Sequence, residues 1–376
     1  MLGGKSMSTK ESHFTLLALF MTFCAYALAE TPIIPSSVDN EIIEKPIRAE
    51  LVFKIGSDKA NEDFYKAFAF AVGKDDQIYI LDSGNSRIQC FSKEGGFLFG
   101  FGRRGQGPGE LSNNAGTIRI LSDGNIYVID NLQRRINVYS QEGKFLYLAI
   151  TSARYNDIVL LNGTYYLSNI ILEENHKPIH ASRSLGKIDA DFGIFIEPAV
   201  GILKQISQIP MPEPWRYYYS MGDFTKLVVT NGSDLIFSQG YPYRLIKYDA
   251  KGNVLKDVTG DVDFDTYHRA KFSVDKFSVG LTSPLGGAPT MLGVSLKNDN
   301  HVVVAYFNPE KNNTNVDIYD LDLHLISRYK LLNTIADFSK GNYVKQIMID
   351  DDDNLYALVI NKEDYPQLVK YKLIFD

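Results

Sequence analysis

The chain repeats itself, and that restricts its fold more than any other feature. Asp75–Gly102 and Ser122–Ile150 carry matching residues at a constant offset of 48. Ile78-Tyr79 answers Ile126-Tyr127, Asp82 answers Asp130, Arg87-Ile88 answers Arg135-Ile136, and Glu94-Gly95 answers Glu142-Gly143. A fixed period of this length means that one supersecondary unit recurs, so the chain is a propeller, a solenoid or an array. Within the second copy, Thr117–Leu121, Asn125–Asp130, Arg135–Tyr139 and Lys144–Ala149 read as short strands. They are separated by the tight turns Ser122-Asp123-Gly124 and Gln141-Glu142-Gly143. Ile126, Val128 and Asp130 share one face of their strand, and Tyr127 and Ile129 share the other. No long segment has the 3.6-residue period of a helix. Four antiparallel strands in each unit make a propeller blade.

Diverged copies follow. The third turns at Asn162-Gly163 into Tyr165–Ile171, with later strands expected near Gly186–Ala190 and Phe192–Glu197. The fourth comprises Leu235–Ser238, Arg244–Tyr248 and Val254–Val258; the fifth, His301–Phe307, Val316–Tyr319 and Leu323–Tyr329. The sixth has Lys345–Ile349, Leu355–Ile360 and Leu368–Ile374, one strand short. Leu51–Gly56 aligns with Phe97–Gly102 at an offset of 46, and both alternate apolar residues before a glycine. The reading is an all-β, six-bladed β-propeller of four-stranded antiparallel blades. An N-terminal strand completes the last blade, which closes the ring and removes an exposed edge. An aromatic content of 12%, with 23 Tyr and 22 Phe, suits strands.

The first residues read as an address. Lys5 and Lys10 precede the apolar run Phe14–Ala25, and Ala27-Leu28-Ala29 gives a small-x-small pattern before Glu30. The expected organisation is a signal peptide over 1–29, a proline-bearing tether over 30–46 and a propeller over 47–376. The mature protein would be extracytoplasmic, periplasmic or secreted, with no membrane span. Cleavage would leave Cys90 as the sole cysteine, so no intramolecular disulfide is available and a core must supply the stability. The net charge of −6 lacks the basic footprint of a nucleic-acid binder. The chain is expected to be a monomer.

The stretch Tyr79–Phe91 resembles the NHL repeat, whose core reads D-x-x-N-x-R-I-x-x-F. Asp82, Asn85, Arg87, Ile88 and Phe91 fit that pattern, while the second copy has Gln133 in place of the Asn. Phe101–Glu110 is similar to the glycine-rich linker between blades of a secreted bacterial six-bladed β-propeller family. The resemblance implies a six-bladed propeller outside the cytoplasm, often without an assigned activity.

Several groups could carry chemistry. Arg103 and Arg104 lie among Gly102, Gly105, Gly107 and Gly109, which suits either an anion-binding nest or a tight crossover between blades. Asp82 with Arg87, and Asp130 with Arg135, would brace their loops through charge-assisted hydrogen bonds. Asp350–Asn354 reads as a solvated hairpin turn, since Leu355 and Asn361 stand where a calcium loop needs Gly and Glu. Two insertions are rich in aromatics and arginine: Lys204–Phe224 carries Trp215, Arg216 and Tyr217, and Asp261–Met291 carries His268 and Arg269. Both join blades, so they should share a face with Arg103 and Arg104, and with Tyr241, Tyr243 and Arg244 after the second strand of blade four. Such a set suits recognition of a protein partner or a small sugar-like ligand. No cofactor is evident. The alternative is a metal-dependent enzyme of lactonase or lyase type, with calcium held in the central channel by scattered Glu, Asn and Asp. Carboxylates, amides or histidines converging from several blades would favour the enzyme; hydroxyls and apolar residues would favour the binding module.

Overall fold

The second strands of the first two blades, IYILD and IYVID, are apolar runs buried on both faces. The computed structural model describes residues 43–73, 75–151, 155–169, 179–182, 225–230, 234–239, 244–250, 253–259, 290–308, 313–332, 335, 342–361 and 363–375. The first strand, β1 (Glu44–Ile55), is followed by blade one: β2 (Ala67–Val72), β3 (Ile78–Asp82), β4 (Arg87–Phe91) and β5 (Phe97–Phe101). Blade two is β6 (Thr117–Ile120), β7 (Ile126–Asp130), β8 (Arg135–Tyr139) and β9 (Phe145–Ile150). Each blade is an antiparallel meander in chain order. Residues of β3 diverge by parity, with Ile78 and Ile80 joining one apolar cluster and Tyr79 and Leu81 another. In β7, Ile126 and Val128 likewise face blade one while Tyr127 and Ile129 face blade three.

The described part of blade three is β10 (Tyr155–Leu161), β11 (Thr164–Asn169) and β12 (Ile179–Ser182). Its third strand therefore falls at β12, ahead of Gly186–Ala190, which lies outside the described residues with Phe192–Glu197. Blade four is β13 (Thr225–Val229), β14 (Leu235–Gln239), β15 (Arg244–Tyr248) and β16 (Val254–Thr259). Blade five is β17 (Thr290–Lys297), β18 (His301–Asn308), β19 (Asn313–Asp320) and β20 (Leu325–Leu331). Thr290 and Met291 thus belong to an inner strand rather than to the preceding insertion. Blade six holds β21 (Tyr343–Ile349), β22 (Asn354–Ile360) and β23 (Gln367–Phe375).

β1 supplies the fourth strand of blade six, pairing antiparallel with β23 from Ile47↔Phe375 to Ile55↔Leu368. It starts at Glu44, inside the stretch read as tether, because Glu44–Ile47 also pair in parallel with Arg328–Leu331 of β20. Blades five and six therefore share one eight-stranded sheet, a junction the repeats do not announce.

Six apolar clusters occupy the six blade boundaries. They join blades one and two, two and three, three and four, four and five, five and six, and six and one. Seven tyrosines, from Tyr79 to Tyr356, are among the largest fully buried side chains. The inner strands follow one another around an axis: β2 beside β6, then β10, β13, β17, β21, and β21 beside β2 again. The fold is an all-β six-bladed propeller. Among the described residues there is no α-helix, and no helix long and apolar enough to cross a membrane.

Turn chemistry recurs at the hairpins. Asp350 accepts N–H bonds from Asp352 and Asn354, and the Asn354 side-chain amide donates to its second oxygen. Asp249 with Asn253, and Asp320 with His324, repeat the arrangement. The aspartate run is thus a hairpin turn, with Asp353 at φ 60.

Candidate functional site: the central channel and its mouth

Each inner strand is the edge of its sheet, so its channel-facing N–H and C=O groups need partners from elsewhere. Side chains of neighbouring blades supply several. The Gln346 amide accepts from Phe70 N–H at 3.1 Å and donates to Phe70 C=O at 3.0 Å, which joins blade six to blade one. The Thr117 hydroxyl donates to Asn156 C=O at 2.7 Å, and Ser295 to Ile349 C=O at 3.0 Å. Gly293 lies so close to β21 that a Cβ there would meet Ile347 C=O at 1.8 Å.

The densest of these junctions is ionic. Arg119 of β6 donates from Nε to Asp157 Oδ1 at 2.6 Å and from Nη2 to Asp157 Oδ2. Asp157 of β10 is fully buried and also accepts the N–H of Leu227 at 2.8 Å and that of Ile158 at 3.0 Å. Arg119 donates once more to Leu227 C=O. One carboxylate therefore ties blades two, three and four. Burial pushes the Asp157 carboxyl up. The charge and hydrogen bonds of Arg119, the charge of Lys226 and the Leu227 N–H together outweigh that and hold it below the usual range.

Beside this junction is a cavity of about 90 Å³, walled by β2, β6, β13, β17 and β21. Ala69, Ala71, Ile118, Gly293 and Val294 are among its apolar residues; its polar side chains are Thr117, Arg119, Lys226 and Gln346. One residue nearer the start of β2, the Phe68 ring marks the end of the channel where the inter-blade linkers enter. The Lys345 ammonium stands 3.6 Å from its centroid and that of Lys66 at 5.5 Å. Lys66 also donates to Asn114 of the blade one–two linker at 3.0 Å. Cations over an aromatic face are attracted by its quadrupole. The side chains gathered at this mouth are thus cationic and aromatic, in a chain of net charge −6. Among the described residues no group of three or more His, Cys, Asp or Glu side chains could hold a metal ion.

The residues singled out from sequence are dispersed. Arg103 is exposed and its Nε donates to Glu110 at 2.9 Å. The other Glu110 oxygen accepts Gly107 N–H at 2.7 Å, and a Cβ on Gly105 would collide with this carboxylate. The Gly107 N–H bond and, after it, Arg103 lower the Glu110 pKa against the opposing effect of desolvation. The linker's own glutamate therefore occupies the place an external anion would take in a nest. Arg104 is exposed, and its backbone bridges to Leu111. Arg244 is buried and holds Asp257 of β16 with two guanidinium nitrogens. Trp215, Arg216, Tyr217, Tyr241, Tyr243, His268 and Arg269 lie outside the described residues.

The two expected Asp–Arg braces part company. Asp82 accepts from Arg87 Nε at 3.0 Å and from the Asn85 amide at 2.8 Å, and also from the N–H groups of Tyr65 and Lys66. Asp130 instead takes both the N–H and the hydroxyl of Ser112. Arg135 turns to the linker, donating to the carbonyls of Gln106 and Glu110, and Tyr139 adds a bond to Gly109 C=O. Gln133, which stands where the repeat has Asn, donates to Gly105 C=O at 2.6 Å. The third strand of blade two thereby holds the linker that precedes it.

A family profile described as "6-bladed beta-propeller" (DUF5128) matches residues 72–192. Among solved structures, the chain is similar to a protein of Bacteroides fragilis inferred to be exported, at 14% identity and a TM-score of 0.54 over 90% of this chain and 97% of that one. A DUF4221 family member from Bacteroides vulgatus shares 12% identity with a TM-score of 0.55, over 89% of this chain and all of the other. A gluconolactonase from Xanthomonas campestris matches with a TM-score of 0.44 at 11% identity, covering 86% of this chain and 87% of that one. The likenesses to the two Bacteroides proteins speak to the fold. No curated protein matches the sequence.

Proposed function

We propose that the protein is an extracytoplasmic, NHL-like binding propeller that takes a ligand at the linker-side mouth of its channel and has no catalytic machinery of its own. The observation that carries this reading is the assignment of the channel's polar groups. Asp157 is saturated by Arg119 and two backbone N–H groups, and Gln346 and Thr117 close blade boundaries. What faces outward is a recognition surface rather than a reactive centre: the Phe68 ring with Lys345 and Lys66. Aromatic and cationic groups around a concavity are the anchors that small ligands and partners use. The address over residues 1–29 supports the location. The connections between β12 and β13 and between β16 and β17 carry Trp215, Arg216, Tyr217, His268 and Arg269, and in this reading they extend the surface.

A ligand screen on the purified protein, repeated with Phe68→Ala and Lys345→Gln, tests the reading. Loss of affinity in both variants, with unchanged melting, is the expected result. A ligand indifferent to both substitutions moves the site elsewhere. Elemental mass spectrometry on protein prepared without chelator tests the rival enzyme reading. One calcium or zinc per chain, with melting lowered by chelation, would overturn the non-catalytic assignment.

A further inference from the structure

We propose that the channel cavity is a binding site for a small carboxylate, whose charge is met by Lys226. The inference rests on the reading of the channel mouth as a ligand seat and names the chemistry that seat selects. Each of the other polar side chains on the cavity wall has a protein partner. Thr117 donates to Asn156 C=O, Arg119 to Asp157 and Leu227 C=O, and Gln346 is paired twice with Phe70. The half-buried Lys226 ammonium has no hydrogen bond or ion pair with any described residue, although it lies near enough to Asp157 to lower that group's pKa. Asp157 is already matched by Arg119, so Arg119, Asp157 and Lys226 together leave one positive charge in the channel.

A half-buried charge with no bonded partner is less well solvated than one at the surface, and a counter-anion relieves it. The walls reinforce the preference. Ala69, Ala71, Gly293 and Val294 are small or apolar, so an ion pair formed there is less screened than one at the surface. A space of about 90 Å³ has room for a small carboxylate. A longer acid would leave its remainder toward Phe68. Approach is favoured by Lys345 and Lys66 at the mouth.

The probe is sodium acetate, compared with sodium chloride at equal ionic strength on the full protein as purified. Thermal melting and titration calorimetry give the readouts. Acetate is expected to raise the melting temperature in the saturable manner of a ligand that binds only the folded state. Lys226→Gln should lower acetate affinity by about tenfold or more, roughly 1.4 kcal/mol. Without acetate the same variant should melt no lower than wild type. Lys226→Arg should keep the response. If Lys226→Gln fails to fold, carbon-13 acetate saturation-transfer spectra of wild type and Lys226→Arg carry the test. An equal acetate response in Lys226→Gln, or no binding to wild type, overturns the site. Phosphate stabilising more than acetate overturns the carboxylate class. A screened ligand that needs Phe68 but ignores Lys226 preserves the binding function and removes this site. Acetate binding that needs Lys226, with no ligand depending on Phe68, does the reverse.

Discussion

Arg119 and Asp157 meet through two parallel hydrogen bonds across the boundary between blades two and three, and the same carboxylate holds the N–H of Leu227 in blade four. Three blades thus depend on one ion pair beside the axis. Removing one member leaves its partner buried and unmatched, which is more damaging than never having had the pair. Arg119→Ala is expected to destabilise the protein by about 3–5 kcal/mol. The double variant Arg119→Leu/Asp157→Leu should lose less than the sum of the single variants. Denaturant unfolding of the four proteins in a double-mutant cycle reads this directly.

Acid stability follows from the same group. The Asp157 pKa in the fold lies below its ordinary 3.8, so the pair's contribution is fully present above about pH 4. It is lost as the pH falls through the depressed folded value. Asp63 and Asp320 are also held low and act in the same direction. The melting temperature should therefore fall steeply below pH 4, and Asp157→Asn should flatten part of that fall while lowering the plateau above it. A melting series from pH 2 to pH 7 checks both.

Gly293 permits the close approach of blades five and six. A Cβ at this position would stand 1.8 Å from the backbone oxygen of Ile347, and backbone cannot swing aside as a side chain can. Gly293→Ala is expected to destabilise by about 1–3 kcal/mol through overpacking. Gly163→Ala is a useful contrast, because nothing lies within 4 Å and only the positive φ of 73 opposes it. Chemical denaturation should rank Gly293→Ala as the more damaging.

Cys90 is buried, and burial pushes its thiol up to about 11. Thiol reagents act on the thiolate, so the native protein should react slowly at pH 8 and at full speed only when unfolded. Ellman kinetics with and without denaturant distinguish this from a reactive cysteine.

The blade rhythm was legible because the middle strands are buried on both faces, so Ile78–Asp82 and Ile126–Asp130 stand out between glycine-bearing turns. The closing strand was legible through its likeness to Phe97–Gly102. The parallel pairing of Glu44–Ile47 with β20 was not, since it unites strands from different repeats. Nor was the fate of Asp130, whose place beside Arg135 in the repeat says nothing of Ser112, which claims it. The channel residues show the limit most clearly. Arg119 within Thr117–Ile120 and Asp157 within Tyr155–Leu161 are charges inside otherwise strand-like segments, which is the only local signal they give. Their partnership depends on the order of blades around an axis, and no spacing along the chain encodes it.

The closing strand also sets the timing of folding. Gln367 donates to Gly56 C=O across 311 residues, and the whole β1–β23 ladder joins segments about as far apart. Contacts that distant reward the chain only after a very long loop has been closed. During synthesis β1 emerges early yet has neither of its neighbours, β20 and β23, until nearly all the later blades have been made. Until then it is an unpaired strand, open to pairing with another chain. Completion of the ring is therefore the last event, and in pulsed hydrogen exchange the amides of β1 should be the final ones to gain protection.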